Sequence, residues 1–312
     1  MAENTGIAWT KSTFNPWIGC TKVGPGCDNC YAETMDKRSV FKGVQHWGAG
    51  VSRMRTSDAN WNKVRQWNKQ APNTEFAGRK GFWPVFCASL ADVFDNEVPV
   101  QWRRDLFDLI ELTPNLTWLL LTKRIGNVFA MVSEARSHDW LAGRNNVWLG
   151  ATVVNQEEAD RDIPKLLKIP AKVRFLSIEP MLGTIDLAKY FAPLCDAGSI
   201  QHPHLNAGTT CPFCQGTTVK GGCQSLHWVI VGGESGSKAR PMRPEWVCSM
   251  RDQCAASGVP FFFKQWGEFA PNWLNDEYGE ILVDTLWIDR MGKKAAGDSL
   301  YGEQHHNFPV VI

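Results

Sequence analysis

From residue 81 onward, short unbroken apolar runs recur along the chain, and each gives way to small or polar residues before a longer segment with helical spacing. GFWPVFCASLAD runs from Gly81 to Asp92, TWLLLTKR from Thr117 to Arg124, NVWLGATVVN from Asn146 to Asn155 and VRFLSIEPM from Val173 to Met181. HWVIVGGESG (His227 to Gly236) and VPFFFKQWG (Val259 to Gly267) complete the series. Runs that are apolar throughout, rather than alternating, belong to strands buried on both faces, which predicts a parallel sheet covered by helices. Between the runs, QWRRDLFDLIELT puts Trp102, Leu106, Leu109 and Ile110 on one helical face. Val128 and Val132 mark a second helix, Gln156 opens an acidic one, and a fourth opens at Pro244 and closes at Gly258. With one more strand through Asn15 to Ile18, the pattern predicts a partial or full parallel (β/α) barrel of about six to seven strands, a single α/β domain over residues 1–312.

The polar residues gather at the C-terminal end of each run: Ser89 and Asp92, Lys123 and Arg124, Thr152 and Asn155, Ser177 and Glu179, Glu234 and Ser235, Lys264 to Trp266. In a parallel barrel these ends share one face with the loops that follow them, and that face carries the chemistry. Before the first run, FNPWIGCTKVGPGCDNCY (Phe14 to Tyr31) places Cys20, Cys27 and Cys30 within eleven residues. Three thiolates without a local fourth partner fit a cluster with one open iron; a zinc site completed from afar and free loop thiols are the alternatives.

Two stretches depart from the regular pattern. After a helix from Tyr31 to Phe41 comes a Gly-rich, basic insertion over residues 42–80, and a Cys/His ribbon insertion occupies residues 194–225. The ribbon contains CPFCQGTTVKGGC, so Cys211, Cys214 and Cys223 are ligand candidates, completed by Cys195, His202 or His204. Zinc is preferred there over a second cluster. Cys87, Cys248 and Cys254 read as packed thiols and His305 with His306 as a solvated pair.

Composition narrows the class further. With 44% hydrophobic and 21% charged residues, and neither a signal-like N-terminus nor a run of membrane length, the chain is expected to be cytoplasmic. In a reducing compartment, its ten cysteines are expected to be metal ligands and core thiols rather than a disulfide framework. Net charge is only +1, yet from Lys37 to Lys80 ten basic residues face two acidic ones, so this stretch is +8 and the remainder −7. Trp47, Trp61 and Trp67 are interleaved with it. Such a stretch either tracks phosphates while its rings stack on bases or is a solvated insertion with tryptophans docked on the core.

The cysteine loop at the mouth of a parallel barrel resembles the radical S-adenosylmethionine (radical SAM) superfamily. More narrowly, NPWIGCTKVGPGCDNCYA, CASLADVFD, LLLTKR, LGATVVNQ, LSIEPMLG, WVIVGGESG, FFFKQWGE and GKKAAG (Gly292 to Gly297) resemble a phage- and prophage-associated radical-SAM-like family catalogued as a domain of unknown function. The resemblance implies a 4Fe-4S cluster on Cys20, Cys27 and Cys30, with S-adenosylmethionine on the fourth iron as source of a 5′-deoxyadenosyl radical. By position Ser89 and Asp92 come first as groups for the methionyl amine, followed by Glu179 and Glu234. For these last two, pairing with Lys123, Arg124 or Lys264 is the structural alternative. The chain departs from the superfamily in separating Cys20 from Cys27 by six residues where three are usual, and in placing Gly232-Gly233-Glu234 after a late strand instead of the second.

The function so implied is remodelling of a nucleobase, most specifically isomerisation of an amino-acid-modified (glycinyl) thymine in phage DNA from nitrogen-linked to carbon-linked, as in thymidine hypermodification. Lys123, Arg124, Lys264 and Trp266 are the expected substrate-binding residues, Trp17 and the tryptophans from 47 to 67 further stacking groups, and a flavodoxin or ferredoxin the electron donor. The alternatives are a radical enzyme acting on a protein side chain or small metabolite, and a non-catalytic nucleic-acid-binding module stabilised by metals.

Overall fold

The computed structural model describes residues 2–37, 44–191, 225–271 and 288–310. Its sheet has seven strands: β1 (Ser12–Thr13), β2 (Pro84–Cys87), β3 (Thr117–Thr122), β4 (Val147–Thr152), β5 (Val173–Ile178), β6 (Trp228–Gly232) and β7 (Phe261–Gln265). They lie in sequence order across the sheet, the order of a chain that returns through a helix or loop after each strand. This is the partial parallel α/β barrel that the apolar runs predict. All residues of β2, β4, β5 and β6 are buried, as strands covered on both faces must be.

The chain forms two compact units, Met1–Ala151 with Ile169–Val173, and Thr152–Lys168 with Arg174–Ile312. In the first, β1 pairs with β2 through Ser12 opposite Val85 and Thr13 opposite Phe86, and β3 lies parallel to both β2 and β4. Four helices accompany these strands: α1 (Tyr31–Lys37), α2 (Asp58–Gln70), α3 (Val100–Glu111) and α4 (Ile125–Ala135). The expected face of α3 is confirmed at Leu106, Leu109 and Ile110, which are buried, while Trp102 is half-buried with its ring 6.3 Å from Trp17.

The sheet strand expected over Asn15 to Ile18 lies earlier. Pro16 has no N–H to give a ladder, and the chain leaves the sheet there: Trp17–Ile18 pairs antiparallel with Met54–Arg55 instead. Within the basic stretch, α2 has a regular inward-facing pattern. Trp61, Val64 and Trp67 recur at helical spacing in α2 and turn inward, with Trp61 6% and Trp67 1% exposed. Trp67 stacks on Trp83, Phe14 meets Trp61 edge-on, and Trp47 is half-buried. For Trp61 and Trp67, the docked alternative is the observed one.

In the second unit, β5, β6 and β7 are parallel, and Trp228 of β6 is surrounded by Phe175, Phe262 and Phe308. Its helices are α5 (Gln156–Leu167), α6 (Pro244–Ala256) and the short α7 (Lys293–Ala296). Asn155 caps α5 by accepting from Glu158 N at 2.9 Å, while the Glu158 carboxylate reaches back to Val154 N at 3.1 Å, a reciprocal cap that fixes the helix start. Pro244 opens α6, and Gly258, at φ +64°, follows its end. Among the described residues no helix is long and apolar enough to cross a membrane.

Candidate metal centre

The cysteine loop is attached to the C-terminal ends of β1 and β2. Beyond β1, Phe14 N donates to Phe86 O, and the Asn15 side chain turns across to β2's loop, accepting from Leu90 N at 2.8 Å and donating to Ser89 Oγ at 3.0 Å. Gly19 N then donates to Leu90 O at 3.0 Å. Gly19 has φ +109°, and a Cβ there would stand 2.3 Å from His46 O, so only glycine lets the chain pass. Cys20 follows directly. Pro25–Cys27 form one 3₁₀ turn, Cys30 N donates to Cys27 O at 3.4 Å, and α1 begins at the next residue. Tyr31 Oη donates to Ser89 O at 2.8 Å, returning the far end of the loop to the same strand end.

Beneath the loop lies a network of buried charge. Arg53, its side chain fully buried, donates to Asp95, to the carbonyls of His46, Gly48 and Val51, and to Thr21 Oγ1 at 2.6 Å. His46 is fixed in turn by the Asp36 carboxylate, which accepts from its backbone N at 2.7 Å and pairs with Nδ1 at 2.9 Å. Arg124, just beyond β3, donates to Thr21 O at 2.6 Å and to Asp92 Oδ2 at 3.2 Å, and its Nη1 is 3.3 Å from Cys20 Sγ. Burial works against the Arg124 charge, but Asp92, Cys20 and Asp95 outweigh it and raise its pKa. Burial, then Asp92, push the Cys20 thiol up to about 12 in the metal-free chain, with Arg124 acting in the opposite direction.

Asp92 is not available to a methionyl amine in this arrangement. Its Oδ1 accepts from Thr122 Oγ1 at 2.7 Å and Phe94 N at 2.9 Å, and its Oδ2 from Lys123 N at 3.0 Å and Arg124. A carboxylate has about four acceptor positions, and all four are taken. Ser89 faces Asn15. Arg124 is committed to Cys20, Thr21 and Asp92, which places it beside the cysteine loop rather than on a substrate surface.

In the second unit, Glu179 pairs with Lys264 at 2.8 Å and accepts from Ser177 Oγ at 3.0 Å, one of the pairings foreseen for it. Glu234 pairs with Arg240, a partner the sequence did not suggest, accepting from its side chain at 2.8 Å and its backbone N at 2.8 Å. Gly232 leaves room for Glu179, because a Cβ there would lie 2.7 Å from Glu179 Oε1. Trp266 is 1% exposed and its indole donates to Ser299 O, so it offers no face to a base; Trp17, at 0%, offers none either. Arg53, Asp95 and Asn15 were missed from sequence. Asp92 and Asp95 three apart after a strand were a visible signal, whereas nothing near Arg53 marks it.

Cys20, Cys27 and Cys30 are free thiols, Cys27 buried and the others half-exposed. As a donor set, three soft thiolates fit an iron-sulfur cluster in kind and number. Their side chains are not drawn together here: among the described residues no group of three or more Cys, His, Asp or Glu side chains is placed to hold a metal ion. Cys195, Cys211, Cys214 and Cys223, with His202 and His204, lie outside the described residues. No curated protein and no solved structure matches the chain significantly. Residues 4–309 match the family described as "Protein of unknown function (DUF5131)", and the chain belongs to that family over nearly its whole length.

Proposed function

We propose that this protein is a radical SAM enzyme whose 4Fe-4S cluster is held by Cys20, Cys27 and Cys30. The observation that carries the reading is the place of the three-cysteine loop, bound through Gly19 and Tyr31 to the C-terminal end of a parallel strand. That is the edge at which parallel barrels carry out their chemistry. When bound, the cluster with S-adenosylmethionine supplies one-electron cleavage of the sulfonium and a 5′-deoxyadenosyl radical able to abstract hydrogen from carbon. The chain's own residues hold the loop in place: Asn15 and Gly19 at its entry, Tyr31 at its exit, Arg53 beneath Thr21, and Arg124 beside Cys20. Reducing equivalents would come from a flavodoxin- or ferredoxin-class donor, and the ribbon cysteines would hold zinc.

A modified thymine in DNA is the substrate favoured by the exposed Lys63, Arg65, Lys69 and Lys80, which would follow phosphates. The base would have to leave the duplex to be reached. The burial of Trp17, Trp61, Trp67 and Trp266 favours a second reading, with a protein side chain or small metabolite as substrate. Salt dependence separates them, since only a phosphate-tracking enzyme loses affinity steeply between low and moderate salt.

The test is anaerobic reconstitution with iron and sulfide, reduction, and addition of S-adenosylmethionine. Wild type should release 5′-deoxyadenosine, and Cys20→Ala, Cys27→Ala or Cys30→Ala should release none. Incubation with phage-type modified DNA and nucleoside mass analysis then identifies the product. A reduced, fully loaded wild-type protein that forms no 5′-deoxyadenosine would rule out the radical reading and leave a metal-stabilised binding module.

A further inference from the structure

We propose that Arg124 positions Cys20 as a cluster ligand and sets how readily the bound cluster accepts its electron, an inference that rests on the radical SAM reading above. A single planar guanidinium meets the ligand residue and its neighbour at once. Nη1 lies 3.3 Å from Cys20 Sγ and 3.2 Å from Asp92 Oδ2, while Nη2 donates to Thr21 O at 2.6 Å and stands 3.8 Å from Asp95 Oδ1. The donors of arginine form a rigid fork, so fixing three of these contacts fixes the fourth. Its direction is determined from behind, because Asp92 is itself held by Thr122 Oγ1, Phe94 N and Lys123 N.

Charge balance shows what the fork delivers. Arg53 and Arg124 offset Asp92 and Asp95, so the buried quartet is neutral as a whole, and the edge of it that donates to the sulfur is Arg124. The Arg124 side chain is 7% exposed, so solvent screens that edge little. One-electron reduction of a 4Fe-4S cluster from the 2+ to the 1+ state, by a low-potential protein donor or by dithionite in vitro, adds negative charge that spreads onto the ligand sulfurs. An N–H donor and a positive charge at one sulfur stabilise the reduced form and raise the potential. Lysine would keep the charge but lack the planar fork whose two nitrogens divide the contacts to Cys20, Thr21 and Asp92.

The experiment compares wild type, Arg124→Gln and Arg124→Lys after anaerobic reconstitution. Iron per chain is measured first, and each protein is then titrated with dithionite while the electron paramagnetic resonance of the reduced cluster is followed. The Gln variant is expected to carry a cluster and to reduce at a more negative potential than wild type, with Lys between them. A fully loaded Gln variant with an unchanged potential overturns the proposal. A wild type that takes up no iron-sulfur cluster overturns the radical SAM reading and this inference with it, an outcome already visible in the iron content. If the Gln variant does not fold, wild type grown with ¹⁵N-arginine replaces it. Pulsed resonance should then detect an arginine nitrogen coupled to the reduced cluster and lose it in Arg124→Lys, and no such coupling in wild type overturns the proposal.

Discussion

Asp92 is a buried carboxylate whose acceptor positions are all engaged by the protein. Its position at the end of the first apolar run makes it a candidate for holding a cofactor amine, but its four hydrogen bonds go to Thr122, Phe94 N, Lys123 N and Arg124. Removing one partner of a buried ion pair leaves the other charge uncompensated, at a cost of about 3–5 kcal/mol. Asp92→Ala should therefore lower the free energy of urea unfolding by an amount in that range. If Asp92 were instead a cofactor ligand, stability would be nearly unchanged and the KM for S-adenosylmethionine would rise. Gly19→Ala carries a separate penalty: an alanine held at φ +109° costs about 1–3 kcal/mol in backbone strain, before the 2.3 Å approach of its Cβ to His46 O. That variant should unfold at lower urea and take up less iron than wild type. Thiol chemistry sorts the cysteines of the described chain in the same way. Burial raises the pKa of Cys87 and pushes Cys254 up to about 12, so at pH 8 neither has an appreciable thiolate fraction. Among the described cysteines, iodoacetamide applied to iron-free protein at that pH should label half-exposed Cys30 before buried Cys27, Cys87 and Cys254, as resolved by peptide mapping.

At the scale of elements, α2 separates two properties that its sequence mixed. Trp61 and Trp67 pack inward, whereas Lys63, Arg65 and Lys69 point to solvent from the same helix. Trp67→Ala should accordingly cost about 3–5 kcal/mol of stability, as large-to-small core changes do, and leave any DNA affinity of the folded protein unaltered. Reversing the three cations together should leave stability within about 1 kcal/mol and flatten the dependence of log affinity on log salt by about 2 to 3, since each phosphate contact contributes close to one unit to that slope. An unchanged slope would remove α2 from any nucleic-acid surface. The elements that could be read from sequence are those whose signal is local. β3 to β7 are runs of mostly apolar, mostly buried residues, and α6 is bracketed by Pro244 and Gly258. β1 was misplaced because Ser12 and Thr13 have no apolar signature: they are strand only through pairing with Val85 and Phe86, more than seventy residues away. Likewise the cysteine loop was plain in sequence, while its supporting arginines were not, since Arg53 meets Asp95 across 42 residues and Arg124 meets Asp92 across 32.

For the molecule as a whole, the remaining question is whether a metal would build this fold or be held by one already built. In the first unit Val85, Leu119 and Leu149 of successive strands are fully buried, and in the second so are Leu176, Ile230 and Phe263. Each such side chain contributes about 1.5–3 kcal/mol by leaving water, and none lies in the cysteine loop. The loop itself is attached by Asn15, the Gly19 amide, Tyr31 and Arg53, all of which bond to protein groups other than the thiols. Small metal-built domains behave differently, because their ligands are the core and chelation unfolds them. Replacing Cys20, Cys27 and Cys30 together by alanine should therefore leave the far-ultraviolet circular dichroism unchanged. The urea unfolding free energy should fall by no more than about 2–3 kcal/mol, mostly from the one buried sulfur at Cys27. Iron uptake by the loop and formation of 5′-deoxyadenosine should both disappear. A triple variant that is unfolded at 25 °C would mean that the loop and its metal are part of the folding core, and the fold would then have to be understood as metal-dependent from the outset.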